Sequence, residues 1–566
     1  RVYPNEDLRT VTVQADVANH TEEAYRGTVT LQAEGLEARE IPVTVEAGGT
    51  AAVSLRDYSM GEDVKLWGEF EQNLYTMKAS LENGSEMSET FGMRDFDVDQ
   101  ETKQLVNNGD KVFLREEANC AVFPLTAYAP MDEAGWEKLF STYQSYGINA
   151  VRFHSWCPPD AAFRVADRLG LYLQPELSSW DAGSMFDGEV EKNYYSREAK
   201  PIVIEYANHP SFVMLSFGNE LHFASGGYEY ADQLIQELKA QDSTRLYSFA
   251  SNSDYGGTKP TENSDFFTGQ VYNGTSMRGI YSGMSGFINQ SYPSSTVNYE
   301  EAVNRAAAES GVPAFSFEVG QFQVFPDVLS ELDGYTGVLE PRNLQLVAER
   351  IEAMGISDEE VEDYINASGM LSRLGYRMEI EAALRTKNMS GISLLGIQDF
   401  SGQSTALVGM MNALGDPKPY DFADPEAFAT FFSPEVALLE TEKFSWTNAE
   451  DFTGTLMLAN YGPEDLEGEM TWKLTEDATV LAQGSLPGTV FTQGTVTDAG
   501  EISIPLSEIQ EAKQLKLTIA LGDVENYYDL WVYLANETAP EGDVYVTEYL
   551  DEDALYILED GGKVLL

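Results

Sequence analysis

Hydrophobic and polar residues alternate along the first part of the chain in the manner of β-strands. Apolar side chains recur at every second position over residues 11–17, 29–33 and 41–45. The turn-forming segments AEGLE and EAGGT separate these runs. Short alternating strands at this spacing predict an immunoglobulin-like β-sandwich over residues 1–95.

Beyond residue 95 the pattern changes, because strand-like apolar runs now alternate with helix-like stretches. Over residues 132–147 apolar side chains recur at every third or fourth position, which is typical of an amphipathic helix. The strand-like runs are KVFLREEAN, NAVRFHSW, LYLQPEL, FVMLSFGNE, RLYSFAS, DFFTGQVY, PAFSFEVG and GISLLGIQDF. Eight strands alternating with helices predict a (β/α)8 barrel over residues 96–425. An open doubly wound sheet is the alternative, but no glycine-rich phosphate loop supports it.

Strand-like alternation returns after the predicted barrel. It is clearest over residues 515–521 and predicts a second β-sandwich over residues 426–540. Residues 541–566 predict a strand, a short helix and a second strand, so we expect the start of a truncated α/β segment. The predicted fold is therefore multidomain, with a TIM barrel flanked by immunoglobulin-like β-sandwich domains.

The composition narrows the classes of partner. The 566 residues hold 35 Lys and Arg against 93 Asp and Glu, which gives a net charge of −58, and 43% of them are hydrophobic. The apolar content is ample for globular domains, while the charge repels phosphate backbones and anionic lipid headgroups. We expect neither a nucleic acid partner nor membrane insertion, and the composition leaves the oligomeric state open.

Cys120 and Cys157 are too few for a disulfide framework and show no metal-binding spacing. They follow neighbouring predicted strands, but proximity alone rarely satisfies disulfide geometry, so we expect two free thiols. We also expect no metal and no organic cofactor. The sequence starts without Met or a signal-peptide pattern, so trimmed termini are expected. Localisation is left open, with a secreted or cell-surface bacterial protein favoured.

Two carboxylates end predicted barrel strands. Glu220 closes the run NHPSFVMLSFGNE, and Glu318 follows the apolar run AFSF. Functional side chains gather at the C-terminal ends of barrel strands, so folding can bring these two face to face. At about 5 Å apart, one carboxylate can act as a nucleophile and the other as an acid and then a base in glycoside cleavage. A structural salt bridge is the alternative for either residue, but a charge has no packing role on an apolar strand.

The segments GINAVRFHSWCPPDAAFRVADRLGLYLQPEL, NHPSFVMLSFGNE and PAFSFEVG resemble the barrel motifs of glycoside hydrolase family 2. That family includes β-galactosidases, β-glucuronidases and β-mannosidases, and the resemblance extends over about residues 1–425. It implies a retaining hydrolase of carbohydrate substrates, with Glu220 as the acid/base and Glu318 as the nucleophile. The jelly-roll domain typical of the family is expected to be missing from this chain.

The resemblance also implies supporting residues. Asn219 would hydrogen-bond the sugar 2-hydroxyl, and Tyr272 resembles in position the family tyrosine that donates to the nucleophile, a buried core tyrosine being the alternative. Arg152 could neutralise Glu318, while Glu176 could pair with Arg152, unless this is a purely structural ion pair. Arg152 and Tyr272 are expected to hold the pKa of Glu318 below its usual value.

This sequence departs from the family pattern in two places. The family spacing Arg-x-x-His is replaced by Arg152 and His154 with one residue between them, so the role of His154 is open between packing and substrate contact. Gln398 and Asp399 follow strand eight where many relatives have a tryptophan, which predicts an unusual sugar-binding floor.

Four aromatic or imidazole side chains lie next to the predicted strands. Trp156 and Trp180 follow strands two and three, where exposed indoles could stack on sugar faces, although a tryptophan is more often part of a core. His222 is a weaker candidate for a substrate hydrogen bond. His209 precedes strand four, at the opposite end from Glu220, and is expected to be structural.

These features predict a retaining exo-glycosidase that acts on terminal β-glycosides of oligo- or polysaccharides. A galactose-type sugar or its arabinopyranose analogue is favoured. Family glucuronidases carry an Asn-x-Lys motif after strand eight, whereas the nearest match here is Asn412-Ala413-Leu414, which lacks the lysine for an anionic sugar. A non-hydrolytic carbohydrate-binding scaffold and an endo-acting glycanase are the alternatives.

Overall fold

A computed structural model of the chain describes residues 1–180, 183–253, 259–280, 286–290, 292–400, 407–535 and 543–566. Its N-terminal part is a sandwich of two antiparallel sheets, in the orders β1-β2-β5 and β4-β3-β6-β7. Alternate side chains such as Val11, Leu31 and Phe91 are buried between the sheets, as the period of two predicts. The strands are β1 Val2–Pro4, β2 Thr10–Ala18, β3 Tyr25–Ala33, β4 Arg39–Val45, β5 Thr50–Ser59, β6 Leu74–Leu81 and β7 Glu86–Gly92.

A small antiparallel sheet joins this sandwich to the barrel. It contains β8 Phe96–Val98, β9 Leu105–Asn107 and β10 Asp110–Lys111. Next to it, the buried side chain of Arg94 donates from Nε and Nη2 to the carbonyl oxygens of Pro210 and Phe212, both at 2.8 Å. These hydrogen bonds fix the sandwich against the barrel.

In the described part of the chain, eight parallel strands form the barrel. Six of them make one sheet in the order β13-β12-β11-β20-β19-β16, and β14 pairs with β15. A bridge from Glu176 to Ser216 connects β13 to β14, and the amide of Asp265 donates to the carbonyl oxygen of Tyr247 beside β15. The strands, with the hairpin β17–β18, are β11 Leu114–Asn119, β12 Ala150–Phe153, β13 Tyr172–Pro175, β14 Met214–Ser216, β15 Leu246–Ser248, β16 Phe267–Gly269, β17 Val271–Tyr272, β18 Thr275–Ser276, β19 Ala314–Val319 and β20 Gly391–Leu394.

Helices cover the outside of this sheet, as in a (β/α)8 barrel. The first buries the apolar stripe predicted from its period, and Asp132 caps it by accepting from the amide of Gly135. The long α8 follows β19 and is preceded by the inserted α7. The helices are α1 Glu133–Ser145, α2 Asp160–Leu169, α3 Glu189–Glu205, α4 Gly227–Gln241, α5 Phe287–Gln290, α6 Glu300–Ser310, α7 Arg342–Met354 and α8 Asp358–Leu384.

After α9 Pro425–Ala429 the chain forms a second sandwich and then a small parallel unit. The two main sheets of the sandwich have the orders β21-β23-β28 and β22-β30-β29-β25-β26, and β24 pairs with β27. The predicted multidomain fold, a barrel with flanking sandwiches, is confirmed. The elements are β21 Glu435–Glu440, β22 Ser445–Thr447, β23 Asp451–Asn460, β24 Leu466–Gly468, β25 Thr471–Glu476, β26 Thr479–Ser485, β27 Thr489–Phe491, β28 Thr495–Pro505, β29 Lys513–Leu521, β30 Val524–Tyr533, β31 Val544–Val546, α10 Glu552–Glu559 and β32 Lys563–Leu565.

Candidate active site

The backbone leaves the extended conformation before it reaches Glu220. The strand β14 ends at Ser216, four residues earlier than the sequence pattern predicts. Gly218 has φ +132°, and a Cβ there would lie 2.2 Å from the carbonyl oxygen of Ser179, so only glycine fits. Glu220 itself is left-handed, with φ +51°. The sequence Gly-Asn-Glu therefore forms a turn that places Glu220 at the barrel mouth, where its side chain is half-buried.

Glu318 reaches the same region from a bulge in β19. Its φ is +53°, and the register against β20 shifts between Ser316 and Val319. A bulge inserts an extra residue and changes the direction of the side chain it carries. Glu318 is buried, unlike the half-buried Glu220.

Asn252 joins the two carboxylates. Its Nδ2 lies 2.9 Å from Oε1 of Glu220 and 2.9 Å from Oε2 of Glu318. The two oxygens are therefore no farther apart than twice that distance. Asn252 is also left-handed, with φ +50°. All three residues thus have a backbone conformation that is uncommon for side chains other than glycine, which is a feature of functional sites.

Arg152 contacts the residues behind this pair. Its fully buried guanidinium donates to Glu176 Oε1 at 2.6 Å, to Glu318 Oε1 at 3.2 Å and to Asn219 Oδ1 at 2.6 Å. It also lies 4.4 Å from the centre of the Phe317 ring. The predicted contacts of Arg152 with Glu318 and Glu176 are both present.

Asn219 has one hydrogen-bonding group without a partner among the described residues. Its Oδ1 accepts from Arg152, which fixes the orientation of the amide. Its buried Nδ2 has no hydrogen-bond partner among the described residues. Because an unpaired buried donor is costly, this N–H group is suited to a ligand oxygen.

The pKa of Glu318 departs from the sequence-based expectation. Burial raises the pKa of this carboxyl, while the nearby charges of Arg152 and His154 act in the opposite direction without cancelling the effect. The expectation of a lowered pKa is wrong, because burial in the barrel outweighs the cation. Burial, with Arg152, also lowers the pKa of His154.

His154 and Trp180 both lie at the candidate site. The Nε2 of His154 is 3.8 Å from Glu318 Oε1, and its ring meets the Trp180 indole edge-on at 5.2 Å. The Nε1 of Trp180 donates to Glu220 Oε2 at 2.9 Å, and 51% of the Trp180 surface is exposed. His222 is half-buried, and its backbone carbonyl accepts from the amide of Met185.

Tyr272 is not a donor to the nucleophile candidate. It belongs to the β17–β18 hairpin, is fully buried, and its hydroxyl hydrogen-bonds Ser310 Oγ at 2.7 Å, at the end of α6. Its ring packs edge-on against Phe267. The hairpin turns this side chain towards the helix, so the alternative of a buried tyrosine is correct.

The side chains of Gln398 and Asp399 bond to other protein groups rather than form a sugar-binding floor. The Oε1 of Gln398 accepts from the Tyr143 hydroxyl at 2.7 Å. Asp399 is buried, accepts from the amide of Gly409 at 2.8 Å and pairs with Lys418 at 2.8 Å. The prediction for these two residues is corrected, because their polar groups already have internal partners.

Trp156, a candidate for stacking on a sugar, and His209, which was expected to be structural, both have partners within the protein. The Nε1 of Trp156 donates to the carbonyl oxygen of Asn119 at 3.0 Å, and its ring packs in an aromatic cluster. His209 lies between two carboxylates, 2.6 Å from Asp167 Oδ2 and 3.2 Å from Asp160 Oδ1. These hydrogen bonds outweigh burial and raise the pKa of His209 to about 9.

Sequence reasoning missed three polar residues of the barrel. Asn252 directly follows the predicted strand five, and this position was the only signal for it. Glu116 and Glu117 are adjacent in β11 and buried, and burial raises their pKa values to about 7 and about 8. Glu117 accepts from the amides of Ile397 and Gln398 and so holds the end of β20. The consecutive glutamates in an apolar strand were the available signal.

The described residues include neither a reactive thiol nor a metal-binding group. Cys120 and Cys157 are free, and burial raises the pKa of both thiols, which keeps them protonated. In the described ranges, no group of three His, Cys, Asp or Glu side chains is arranged to hold a metal ion. No helix in those ranges has the length and apolar character required to span a membrane.

Family models match three parts of the chain. Residues 1–94 match the model described as Glycosyl hydrolases family 2, and residues 130–275 match Glycosyl hydrolases family 2, TIM barrel domain. Two parts of the chain are therefore similar to domains of glycoside hydrolase family 2. Residues 450–534 match a domain of unknown function (DUF8488). The second family 2 match includes Arg152, Glu176 and Glu220.

The curated relatives that are similar to parts of this chain include β-glucuronidases. The β-glucuronidase of Homo sapiens is 30% identical over 125 residues, which cover 22% of this chain and 19% of that protein. A putative β-glucuronidase of Formosa agariphila is 27% identical over 205 residues, or 34% and 24% of the two chains. The matched parts thus span about a fifth of the first of these relatives and about a quarter of the second.

Solved structures share the fold at low identity. The β-D-mannosidase from Dictyoglomus thermophilum has a TM-score of 0.65 at 15% identity, and the match covers 96% of this chain and 67% of that one. A β-galacturonidase from Eisenbergiella tayi, bound to galacturonate, has a TM-score of 0.56 at 14% identity, with 76% and 70% covered. At these identities the likeness concerns the fold alone.

Proposed function

We propose that the protein is a retaining exo-glycosidase that hydrolyses terminal neutral β-glycosides of galactose type, or the arabinopyranose analogue, in oligo- or polysaccharides. The observation that carries this proposal is the shared contact of Glu220 and Glu318 with one amide nitrogen of Asn252, at 2.9 Å from each. Their facing oxygens are then closer than the roughly 6.5–9.5 Å of inverting enzymes, which leave room for a water between the carboxyl groups.

The surroundings of the two carboxylates support different roles. Glu318 is buried and ion-paired with Arg152, which suits a nucleophile that attacks the anomeric carbon. The half-buried Glu220 gives its proton to the leaving oxygen as the glycosidic C–O bond breaks. Glu220 then takes a proton from water, whose oxygen attacks the anomeric carbon and releases the sugar from Glu318. Both carboxyl groups return to their starting states.

The Nδ2 of Asn219, which has no partner in the part of the chain that the structure describes, supports a sugar-binding role. A hydrogen bond from this N–H group to the sugar 2-hydroxyl would strengthen as positive charge develops at the anomeric carbon. Its orientation by Arg152 places the free N–H group without a further conformational cost. His154, with its lowered pKa, is neutral near pH 7 and can exchange hydrogen bonds with sugar hydroxyls.

The charges around the candidate site support a neutral sugar. The positive charge of Arg152 is already shared by Glu176 and Glu318, and that of Lys418 by Asp399. A sugar carboxylate would therefore meet Glu220 and Glu318 beside Arg152, whose charge is already shared by two carboxylates.

A β-uronide is the second candidate, and the names of the relatives favour it. Several are called β-glucuronidase, and one solved neighbour is a β-galacturonidase bound to galacturonate. Initial rates on 4-nitrophenyl β-D-galactopyranoside, α-L-arabinopyranoside, β-D-mannopyranoside and β-D-glucuronide separate the two. We expect the neutral galactose-type pair to react faster, and a preference for the glucuronide would overturn the neutral assignment.

The catalytic assignment has its own test. We expect Glu318→Gln to abolish turnover and a 2-deoxy-2-fluoro glycosyl inactivator to label Glu318 of the unmodified protein. Glu381→Gln is a matched control, because it neutralises a buried carboxylate that contacts Arg377, Arg385 and the C-terminal sandwich. Labelling of another residue, or full activity of Glu318→Gln, would refute the mechanism. Sugar binding without hydrolysis of any glycoside would favour a scaffold, and long oligosaccharide products would favour an endo-acting enzyme.

A further inference from the structure

The backbone directly after Glu318 forms an unusual turn. Glu318, Gly320 and Gln321 have φ values of +53°, +102° and +64°. Left-handed conformations are costly for residues with a side chain and persist only when surrounding contacts impose them. The contacts that hold this turn therefore bear on the direction of the Glu318 side chain.

Glu379 of α8 and Arg278 hold Gly320 from both sides. The Oε2 of Glu379 accepts from the amide of Gly320 at 2.9 Å, and Arg278 Nη2 donates to the Gly320 carbonyl oxygen at 3.1 Å. Arg278 Nη1 also donates to Gln321 Oε1 at 3.2 Å. Both hydrogen-bonding groups of one peptide residue are thus fixed by a buried pair of opposite charges, whose closest atoms are 3.5 Å apart.

The other carboxylate oxygen of Glu379 fixes the segment that follows strand six. Its Oε1 accepts from the amides of Gly279 at 2.6 Å and Ile280 at 3.3 Å. One carboxylate therefore connects the turns after two barrel strands, β16 and β19. This side chain is fully buried.

Tyr376 lies one helical turn before Glu379 and fills the space beside Gly320. A Cβ on Gly320 would come within 2.1 Å of the Tyr376 ring. The Tyr376 hydroxyl donates to the carbonyl oxygen of Gly396, just after β20, at 2.8 Å. The same face of α8 thus contacts the ends of two neighbouring strands.

We propose that Glu379 is a positioning residue for the reaction, because it fixes the Gly320 peptide and so the direction of Glu318. This inference rests on the proposed function. A buried ion pair contributes little to stability after desolvation, and apolar packing would serve stability as well. The Glu379 carboxylate instead accepts from the main chain that carries the nucleophile.

The test compares two glutamates on the same helix. Glu379→Gln places an amide N–H2 group against main-chain N–H donors, so the turn should relax and misplace Glu318. We expect kcat and the rate of Glu318 labelling by the fluorosugar to fall at least about tenfold, with KM within about twofold of the unmodified protein. Glu381→Gln, which faces the C-terminal sandwich, should lower the thermal midpoint and leave kcat unchanged.

A second variant covers the case in which Glu379→Gln fails to fold. Arg278→Lys keeps the positive charge but loses the forked contacts to Gly320 and Gln321, and we expect the same fall in kcat at smaller size. Equal kcat values for the position 379 and position 381 variants, or an Arg278→Lys enzyme of normal kcat, would overturn the proposal. If the unmodified protein hydrolyses no glycoside, the proposed function fails instead.

Discussion

The guanidinium of Arg152 lies 3.2 Å from a carboxylate oxygen of Glu318. Its charge favours the ionised carboxylate against the burial that raises the pKa of Glu318. Arg152→Lys should weaken this contact, so the pKa of Glu318 should rise further. Because the proposed nucleophile acts when ionised, the acidic limb of the kcat/KM profile should move to higher pH, and kcat/KM should fall about 10²-fold.

Arg245 provides a matched control for that substitution. It is buried and lies 4.4 Å from the Phe212 ring, as Arg152 lies 4.4 Å from the Phe317 ring, but its ionic partner is Asp242. Arg245→Lys should lower stability and leave both limbs of the pH profile in place. An acidic limb that moves to lower pH in Arg152→Lys would contradict the assigned effect of the guanidinium.

Asn252 gives a second test of the carboxylate pair. Asn252→Asp replaces the shared donor with a third carboxylate of the same shape, so repulsion should raise the pKa of Glu318. The acidic limb of the kcat/KM profile should shift towards higher pH. Turnover should fall about 10²-fold, as when one transition-state donor is lost. Asn149→Asp is the control, since Asn149 donates to Glu69 at 2.8 Å outside the site. A normal profile in Asn252→Asp would contradict a shared contact.

The sequence predicted the two proposed catalytic positions because a charged side chain at the end of an apolar strand contributes nothing to packing. Glu220 and Glu318 stand out in this way, and Arg152 and Glu176 have opposite charges on adjacent strands. Asn252 gives no such signal, because one amide after a strand is also typical of an ordinary turn. Its role depends on a left-handed backbone that the residue type does not specify.

The wrong predictions concern side-chain direction. Tyr272 was expected to point to Glu318, but a tight hairpin turns it towards Ser310 of α6. Asp399 was expected to belong to an unusual sugar-binding floor, but it pairs with Lys418, which lies later in the chain. Hairpin geometry and a distant cation cannot be inferred from periodicity, which specifies faces of strands and helices only.

His209 makes stability depend on pH. Its pKa is raised to about 9 in the folded protein from 6.5, because it lies between Asp160 and Asp167. The stabilisation is fully present below about pH 6.5 and is lost as the pH rises through 9. The free energy of unfolding of the unmodified protein should exceed that of His209→Gln by about 2 kcal/mol at pH 6, and this difference should shrink by pH 9.5. Exposed His20, changed to Gln, should show no such trend.

Glu116 should also make stability depend on pH, because it is an acid buried in the barrel. Burial raises its pKa to about 7 from 4.5, and its Oε2 has no hydrogen-bond partner among the described residues. The folded state therefore favours the protonated acid, so this contribution to stability is complete below pH 4.5 and is lost as the pH rises through 7. Glu116→Gln stays neutral, and denaturant unfolding should show it gaining about 2 kcal/mol relative to the unmodified protein between pH 5 and pH 8.5. The same change at the exposed Glu301 should give a flat difference. A flat difference for Glu116→Gln as well would mean that the carboxyl is ionised in the folded barrel throughout this range, with Arg152 rather than burial setting its pKa.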